Sequence, residues 1–116
     1  MDDRYTRRFV EMANIPIKRT GLKKGYIQIR SEKAHAKFPH IHFVYDLKNS
    51  KNEFIKFTIN KEIDKIEIVQ NKLNVSTKEI EDIKKFISKN EENLINYYLQ
   101  GEFIDTDTFL DSLKKI

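Results

Sequence analysis

The sequence contains no cysteine, and none of its 116 residues belong to an apolar run of membrane-spanning length. Without cysteine the chain has no disulfide bonds, no thiolate zinc sites and no thiol nucleophile. A transmembrane helix needs about 18 or more largely apolar residues in a row, and no segment comes near that length. The N-terminal residues Met1-Asp2-Asp3-Arg4 also lack the apolar core of a signal peptide. We therefore expect a cytoplasmic protein with no membrane partner.

The length and composition are those of one small domain, which we take as residues 1–116. Hydrophobic residues make up 39% of the chain and include eight Phe and five Tyr, enough to form one core. The net charge of +4 is uneven, because residues 1–60 carry +7 and residues 61–116 carry −3. Such a basic front half fits an anionic partner, and it also fits an unevenly charged solubilising surface. We divide the chain into a basic N-terminal segment (1–24), a sheet-and-helix core (25–100) and a helical tail (101–116).

The spacing of apolar residues predicts an α+β fold with a four-stranded, mostly antiparallel sheet. Alternating apolar residues separated by polar turns predict strands over 25–30, 39–47, 54–59 and 63–69. The capping box Ser76-Thr77-Lys78-Glu79 begins a long amphipathic helix, predicted over 76–99, that covers one face of the sheet. Short helices are expected at both termini, over 2–13 and from Asp105 or Thr106 to Leu113.

The strand that begins at Pro39 carries the densest group of titratable side chains in the chain. Alternation along a strand places His40, His42 and Asp46 on one face. One interpretation is a metal site that uses His40, His42 and His35 as ligands. Another is acid–base chemistry on a phosphodiester, with the two strand histidines as catalytic groups and Asp46 as an orienting group. A third is a structural or partner-binding role at the rim of the sheet.

Basic residues form the second candidate site. The segment 18–24 contains four cations and a glycine, and a helical reading of the N-terminus places three arginines on one side of that helix. Lysine and arginine supply sequence-independent affinity for a phosphate backbone, and a solvated loop explains the same residues. The predicted nucleic-acid or partner-binding residues are Arg4, Arg7, Arg8, Lys18, Arg19, Lys23 and Lys24.

Residues 25–98 also contain a recognisable order of motifs. His35 is followed by Pro39-His40-Ile41-His42-Phe43, then by Glu53-Phe54-Ile55-Lys56-Phe57, and then by the helix that ends near Tyr97. This layout resembles the uncharacterised bacterial family catalogued as domain of unknown function 4160. The chain departs from the family pattern at Phe38 and Phe43, and it has one extra residue after His35. The resemblance implies this fold, shared histidines and a toxin–antitoxin-type genetic context, and it brings no established activity.

Two functions from different classes follow from these features. The first is a small binding module from a mobile or defence-related locus, toxin–antitoxin-like or a phage inhibitor, that docks on a protein or nucleic-acid partner through its basic half. The alternative is a small histidine-dependent nuclease or phosphodiesterase built on His40, His42 and Asp46. We expect no cofactor for the binding module, whereas the enzyme could use a divalent transition metal.

Overall fold

The computed structural model describes residues 12–30 and 38–116, which form an α+β fold around a five-stranded sheet. The strands are β1 (Met12–Ile15), β2 (Tyr26–Arg30), β3 (His40–Val44), β4 (Ile55–Thr58) and β5 (Ile68–Asn71). They follow one another in the sheet as they do in the chain, and every neighbouring pair is antiparallel. The sheet is therefore a meander, and the histidine strand β3 is its central strand.

The helices follow the capping signals in the sequence. The described residues include α1 (Ile17–Thr20), α2 (Thr77–Lys89), α3 (Glu91–Gln100) and α4 (Thr106–Ser112), with short 3-10 turns at Leu47–Asn49, Ile63–Lys65 and Gly101–Phe103. The predicted capping box is confirmed, because Ser76 Oγ accepts from the Glu79 backbone N–H at 3.2 Å and donates to the Glu79 carboxylate at 3.0 Å. Asp105 caps α4 by accepting from the Thr108 backbone N–H at 3.0 Å. Within the described ranges, no helix is both long and apolar enough to cross a membrane.

One face of the sheet, here called the inner face, is apolar and joins the helices in a single core. Alternate strand residues that are fully buried include Ile27, Ile29, Ile41, Phe43, Ile55 and Phe57. They pack with the helical residues Ile83, Phe86, Ile87, Leu94 and Tyr97. Ala13 of β1 and Phe109 of α4 belong to the same cluster, so the first strand and the last helix share this core. The opposite, outer face of the sheet carries the intervening side chains, including both strand histidines.

The N-terminal helix predicted over 2–13 is wrong at its end, because Met12 and Ala13 lie in β1. Residues 2–11 lie outside the described part of the chain. Ala13 and Ile15 are both buried, and they lie opposite Ile29 and Ile27 of β2. Alternation therefore continues through residues that a helical spacing also fits, and the sheet has five strands where the sequence predicted four.

Two further boundaries differ from the prediction. The strand predicted over 63–69 begins with a 3-10 turn, and β5 starts only at Ile68. Ile66 is buried at 3% exposure although it precedes the strand, which explains why the alternating isoleucines misled the prediction. The helix predicted over 76–99 is two helices that meet at Asn90. The Asn90 side chain donates to the backbone oxygens of Phe86 and Lys114, and this interaction fixes the junction.

Candidate functional site

A row of polar side chains crosses the outer face of the sheet, one from each strand. Successive partners in the strand register are Asn14, Gln28, His42, Lys56 and Gln70. Neighbouring strands lie about 4.8 Å apart, so this polar row extends about 19 Å across the sheet. Gln28 Nε2 donates to Asn14 Oδ1 at 2.9 Å, which links two members of the row. His42 therefore lies at the centre of a hydrogen-bonding surface, with an amide on one side and an ammonium group on the other.

Four rings lie in sequence on this face, and we call them the ring row: Phe54, His42, His40 and Phe38. The His42 ring stacks on Phe54, with centroids 4.6 Å apart and an interplanar angle of 17°. His40 stacks on His42 at 5.6 Å and 29°, and Phe38 meets the His40 ring at 6.0 Å in an edge-on arrangement. The two histidines are neighbours because they are two residues apart in β3, and Phe54 joins them because it directly precedes β4.

His40 also contacts the Phe38 carbonyl oxygen and the side chain of Tyr98 at the start of β3. The carbonyl oxygen of Phe38 accepts from the Tyr98 hydroxyl at 3.2 Å and lies 3.2 Å from His40 Nδ1. A carbonyl oxygen can only accept, which places the His40 proton on Nδ1. The Tyr98 ring of α3 also contacts the His40 ring, with centroids 5.4 Å apart. The position and tautomer of this imidazole are thus set by the strand and by the covering helix together.

Two lysines flank the ring row. Lys56 Nζ lies 5.9 Å from the Phe38 ring centroid, and Lys72 Nζ lies 5.5 Å from that of Phe54. Both distances fall within the roughly 6 Å range of cation–π contacts. Phe38 is 38% exposed whereas Phe54 is 7% exposed, so the accessible ring is at the Phe38 end. The site combines an exposed aromatic ring, two half-exposed imidazoles and two ammonium groups.

Asp46, predicted to act with the histidines, lies beyond the end of β3 and caps the next turn. Its Oδ1 accepts from the Lys48 backbone N–H at 2.9 Å, and its Oδ2 accepts from Asn49 Nδ2 at 3.4 Å. Four residues of extended chain span about 13 Å, which is the scale of its separation from His42. The alternation predicts Asp46 on the face of the two histidines, but its carboxylate accepts from the Lys48 backbone N–H and the Asn49 side chain and does not join the ring row.

The predicted metal site depends on His35, which lies outside the described residues. The other two proposed ligands, His40 and His42, are adjacent in the ring row. Across residues 12–30 and 38–116, no three His, Cys, Asp or Glu side chains form a group that could hold a metal ion. A metal centre on the two strand histidines therefore stays a prediction that needs a further ligand.

The predicted basic site is divided by the structure. Arg4, Arg7 and Arg8 lie outside the described residues, and Lys18, Arg19, Lys23 and Lys24 lie in and after α1. Arg19 forms an ion pair with Asp111 at 2.8 Å. Lys24 Nζ lies 4.6 Å from the ring centroid of Tyr45, which follows the end of β3. The four described cations of this set lie in and after α1, which follows β1 at the end of the sheet opposite His40, and they are not at the ring row.

Sequence reasoning missed Phe38, Phe54, Lys56 and Lys72 as site residues. The alternation did place Phe54 and Lys56 on the face opposite Ile55, which is the available signal. What it lacked was the hairpin register that sets Lys56 opposite His42. The turn between β3 and β4 contains a 3-10 segment and further turn residues, so its length alone does not give that register.

A second group of polar side chains joins the end of β3 to the start of α2. The Tyr45 hydroxyl donates to Glu79 Oε2 at 2.8 Å. Burial, followed by this hydrogen bond and the Glu79 charge, raises the pKa of Tyr45 to about 12. The Tyr45 hydrogen bond lowers the pKa of Glu79 below its ordinary value, against the opposing effect of burial, and Ser76 and Lys24 act in the same direction as Tyr45. The pair is thus neutral tyrosine with ionised glutamate over a broad pH range.

Replacing Tyr45 by phenylalanine is expected to lower the free energy of unfolding by about 1 kcal/mol near neutral pH, because the half-exposed pair makes one charge-assisted hydrogen bond. The Tyr45 pKa is raised by folding, so this stability is complete below pH 10 and is lost as the pH rises through 12. The Glu79 pKa is lowered, so the same stability is present above pH 4.5 and is lost as the pH falls through the folded-state pKa. Urea unfolding of both proteins at several pH values measures the difference.

Tyr26→Phe is the matched control for this pair, because the Tyr26 hydroxyl makes no hydrogen bond with any described residue. Its stability should follow the wild-type protein at every pH. A Tyr45→Phe protein that keeps the wild-type pH profile at both extremes would show that the contact with Glu79 contributes nothing.

Comparison with known proteins adds no relative to this description. No protein-family description, no curated protein and no solved structure matches the chain. The family resemblance of residues 25–98 therefore stays a prediction, and the function has to be inferred from the geometry of the chain itself.

Proposed function

We propose that this protein is a small binding module that binds single-stranded nucleic acid on the outer face of its sheet. The observation that carries the proposal is the ring row with its two flanking lysines. Proteins that bind single strands without strong sequence preference combine aromatic rings, on which bases stack, with cations that follow the phosphates. The outer face offers both of these features side by side, at the centre of an antiparallel sheet.

The chemistry of each part fits a nucleotide. The ring of Phe38 is 38% exposed and can take a base. The amides and imidazoles of the polar row can donate to and accept from base edges. Lys56 and Lys72 supply positive charge at the two ends of the ring row. A protein partner is less well supported, since protein interfaces have aromatic cores that are depleted in lysine.

Replacing Phe38 by alanine is expected to weaken binding of a fluorescein-labelled oligothymidylate of about 12 nucleotides by roughly tenfold, because one base loses its stacking surface. The double variant Lys56→Glu/Lys72→Glu should weaken binding further and reduce the slope of log K against log salt by about 1.4, as two phosphate contacts are lost. Fluorescence anisotropy titrations at several salt concentrations measure both quantities. A duplex of the same length should bind less tightly, because its bases are not accessible to the ring.

Matched controls are present in the chain. Phe103 is 77% exposed and lies outside the ring row, so Phe103→Ala removes an exposed ring without touching the proposed site. Lys61→Glu/Lys85→Glu changes the net charge by the same amount at exposed positions that are not in the ring row. If the control and site variants lose the same affinity for the oligonucleotide, the binding is only a non-specific attraction to a basic protein. If Lys23→Glu/Lys24→Glu loses more affinity for the oligonucleotide than Lys56→Glu/Lys72→Glu does, the nucleic acid binds at the turn that follows α1 and not on the outer face.

A hydrolase is the second candidate, and the observation that favours it is the pair of adjacent imidazoles beside Lys56. One imidazole could serve as a base while the other, or Lys56, stabilises developing charge. Incubating the same oligonucleotide with the wild-type protein, with and without divalent metal, and separating the products on a gel tests for cleavage. A hydrolase loses turnover in His40→Ala/His42→Ala and keeps its affinity, whereas a binding module shows no cleavage and loses affinity.

A further inference from the structure

A cavity of about 450 Å³ lies at the end of the sheet opposite His40, between the turn that follows α1 and the first turns of α2. Its apolar lining is formed by Phe43, Ile83 and Leu22, and the first two of these are fully buried. Lys23, Lys24, Ser76 and Lys78, which also line it, are exposed, so the cavity opens at the surface. Its volume falls in the roughly 300–1,000 Å³ range of small-molecule sites.

The charged groups around this cavity are not balanced. Both of its carboxylates already have partners: Asp82 accepts from Lys78 Nζ at 2.9 Å, and Glu79 accepts from Tyr45 and Ser76. Lys23 and Lys24 form no ion pair with any carboxylate in the described ranges, although Lys24 lies over the Tyr45 ring. The cavity thus has an apolar interior, satisfied acidic groups and two ammonium groups at its opening.

We propose that this cavity binds a small organic anion with an apolar or aromatic body. The body would pack against Phe43, Ile83 and Leu22, and the anionic group would be held by Lys23 and Lys24 at the opening. A cation is disfavoured because both carboxylates are engaged by donors of the protein itself, and a fully neutral ligand would form no charge-assisted contact with Lys23 or Lys24. This assignment gives the predicted basic residues Lys23 and Lys24 a role that does not involve the ring row.

The cavity and the ring row are independent sites, because they lie on opposite faces of the sheet and share no residue. Phe43 faces the cavity from the inner face, whereas His40 and His42 face outward. A variant of either site should therefore leave binding at the other unchanged. An experiment can therefore contradict the cavity proposal without contradicting the nucleic-acid proposal, and the reverse.

The test uses two fluorescent probes with the same rings: anilinonaphthalene sulfonate, which is anionic, and phenylnaphthylamine, which is neutral. The wild-type protein should bind the sulfonate in a saturable way, and the neutral probe about tenfold more weakly, because it lacks the charge-assisted contacts. Lys23→Glu/Lys24→Glu should lower the affinity for the sulfonate by about tenfold or more and leave that for the neutral probe nearly unchanged. Lys56→Glu/Lys72→Glu, with the same change in net charge, should bind the sulfonate as the wild-type protein does.

Amide chemical shifts locate the bound probe without any variant. On addition of the sulfonate, the changes should concentrate at Leu22 to Lys24 and at Ser76 to Ile83. Changes centred on exposed apolar residues such as Leu99 and Phe103 would overturn the proposal, since the probe would then be bound to surface patches. Equal affinity of the wild-type protein for the two probes would also overturn the proposal. So would an equal loss of sulfonate affinity in the two charge-reversal variants, because neither result is compatible with a specific contact between the anion and Lys23 or Lys24.

Discussion

Replacing Gly25 by alanine is expected to lower the free energy of unfolding by about 2–5 kcal/mol, a large share of the roughly 5–15 kcal/mol that stabilises a domain. Gly25 has φ +90°, a conformation that costs an L-residue about 1–2 kcal/mol. A Cβ at this position would lie 2.6 Å from Phe43 Cζ and 2.8 Å from the Val44 carbonyl oxygen, so the core would also be overpacked, at about 1–3 kcal/mol. Both costs are present in the same substitution.

Urea unfolding of Gly25→Ala in two backgrounds separates these costs. In a Phe43→Leu background the ring atoms nearest the new Cβ are absent but the close contact with the Val44 carbonyl oxygen remains, so the cost of Gly25→Ala should fall by about 1 kcal/mol or more. The difference between the two backgrounds is the coupling energy of the glycine and the ring. If that cost is the same in both backgrounds, the close approach of Phe43 is not the reason for glycine at this position.

The parts of the fold that the sequence predicts best are those specified by local signals. The capping box at Ser76 and the cap at Asp105 are confirmed because each requires only residues within one helical turn. The alternation in β3 and β4 is likewise confirmed by burial of Ile41, Phe43, Ile55 and Phe57. β1 was missed because a four-residue strand, in which Ala13 and Ile15 are buried, carries too little periodicity to outweigh a preceding helical spacing.

The candidate site was predicted in part, and the limit has a physical cause. Pairing of His40 with His42 follows from alternation, which is a property of one strand. The contacts with Phe54, Lys56 and Tyr98 depend on hairpin register and on the placement of α3, and both are set by long-range packing. The same reason explains Asp46, whose carboxylate caps a turn beyond the end of β3 that alternation cannot describe.

The described cations of the basic half do not share one surface, although the net charge of that half suggests a single patch. Lys23 and Lys24 line a cavity at one end of β3, Arg19 is paired with Asp111, and Lys56 lies beside Phe38 at the other end. Net charge describes how many cations a segment contains and not which of them share a face. The two proposals therefore predict that charge reversal at Lys23 and Lys24 weakens binding of one ligand and charge reversal at Lys56 and Lys72 weakens binding of the other. A single basic patch would predict the same effect for both pairs.

The second large effect is expected at Asn90, where replacement by alanine should lower the free energy of unfolding by about 3 kcal/mol. Asn90 is 2% exposed, and its side chain makes three hydrogen bonds. Nδ2 donates to the Phe86 carbonyl at 3.0 Å and to the Lys114 carbonyl at 2.8 Å, and Oδ1 accepts from the Lys114 N–H at 2.7 Å. Each bond contributes about 1 kcal/mol, and alanine would remove all three from a buried position, although the Phe86 carbonyl would keep its bond from the backbone N–H of residue 90.

Asn93→Ala is the matched control, because Asn93 is half-buried and makes a single, longer bond of 3.2 Å to the Ser112 carbonyl. It should cost less than about 1 kcal/mol. Hydrogen exchange adds a local measurement, since loss of the Asn90 contacts should speed exchange of the Lys114 amide, which donates to Asn90, and of the Ile116 amide, which donates to Thr20. If Asn90→Ala unfolds no more easily than Asn93→Ala, and the Lys114 amide keeps its protection, then contacts other than those of Asn90 join α2 and α3 to the last residues, and the break in the helix at Asn90 needs another cause.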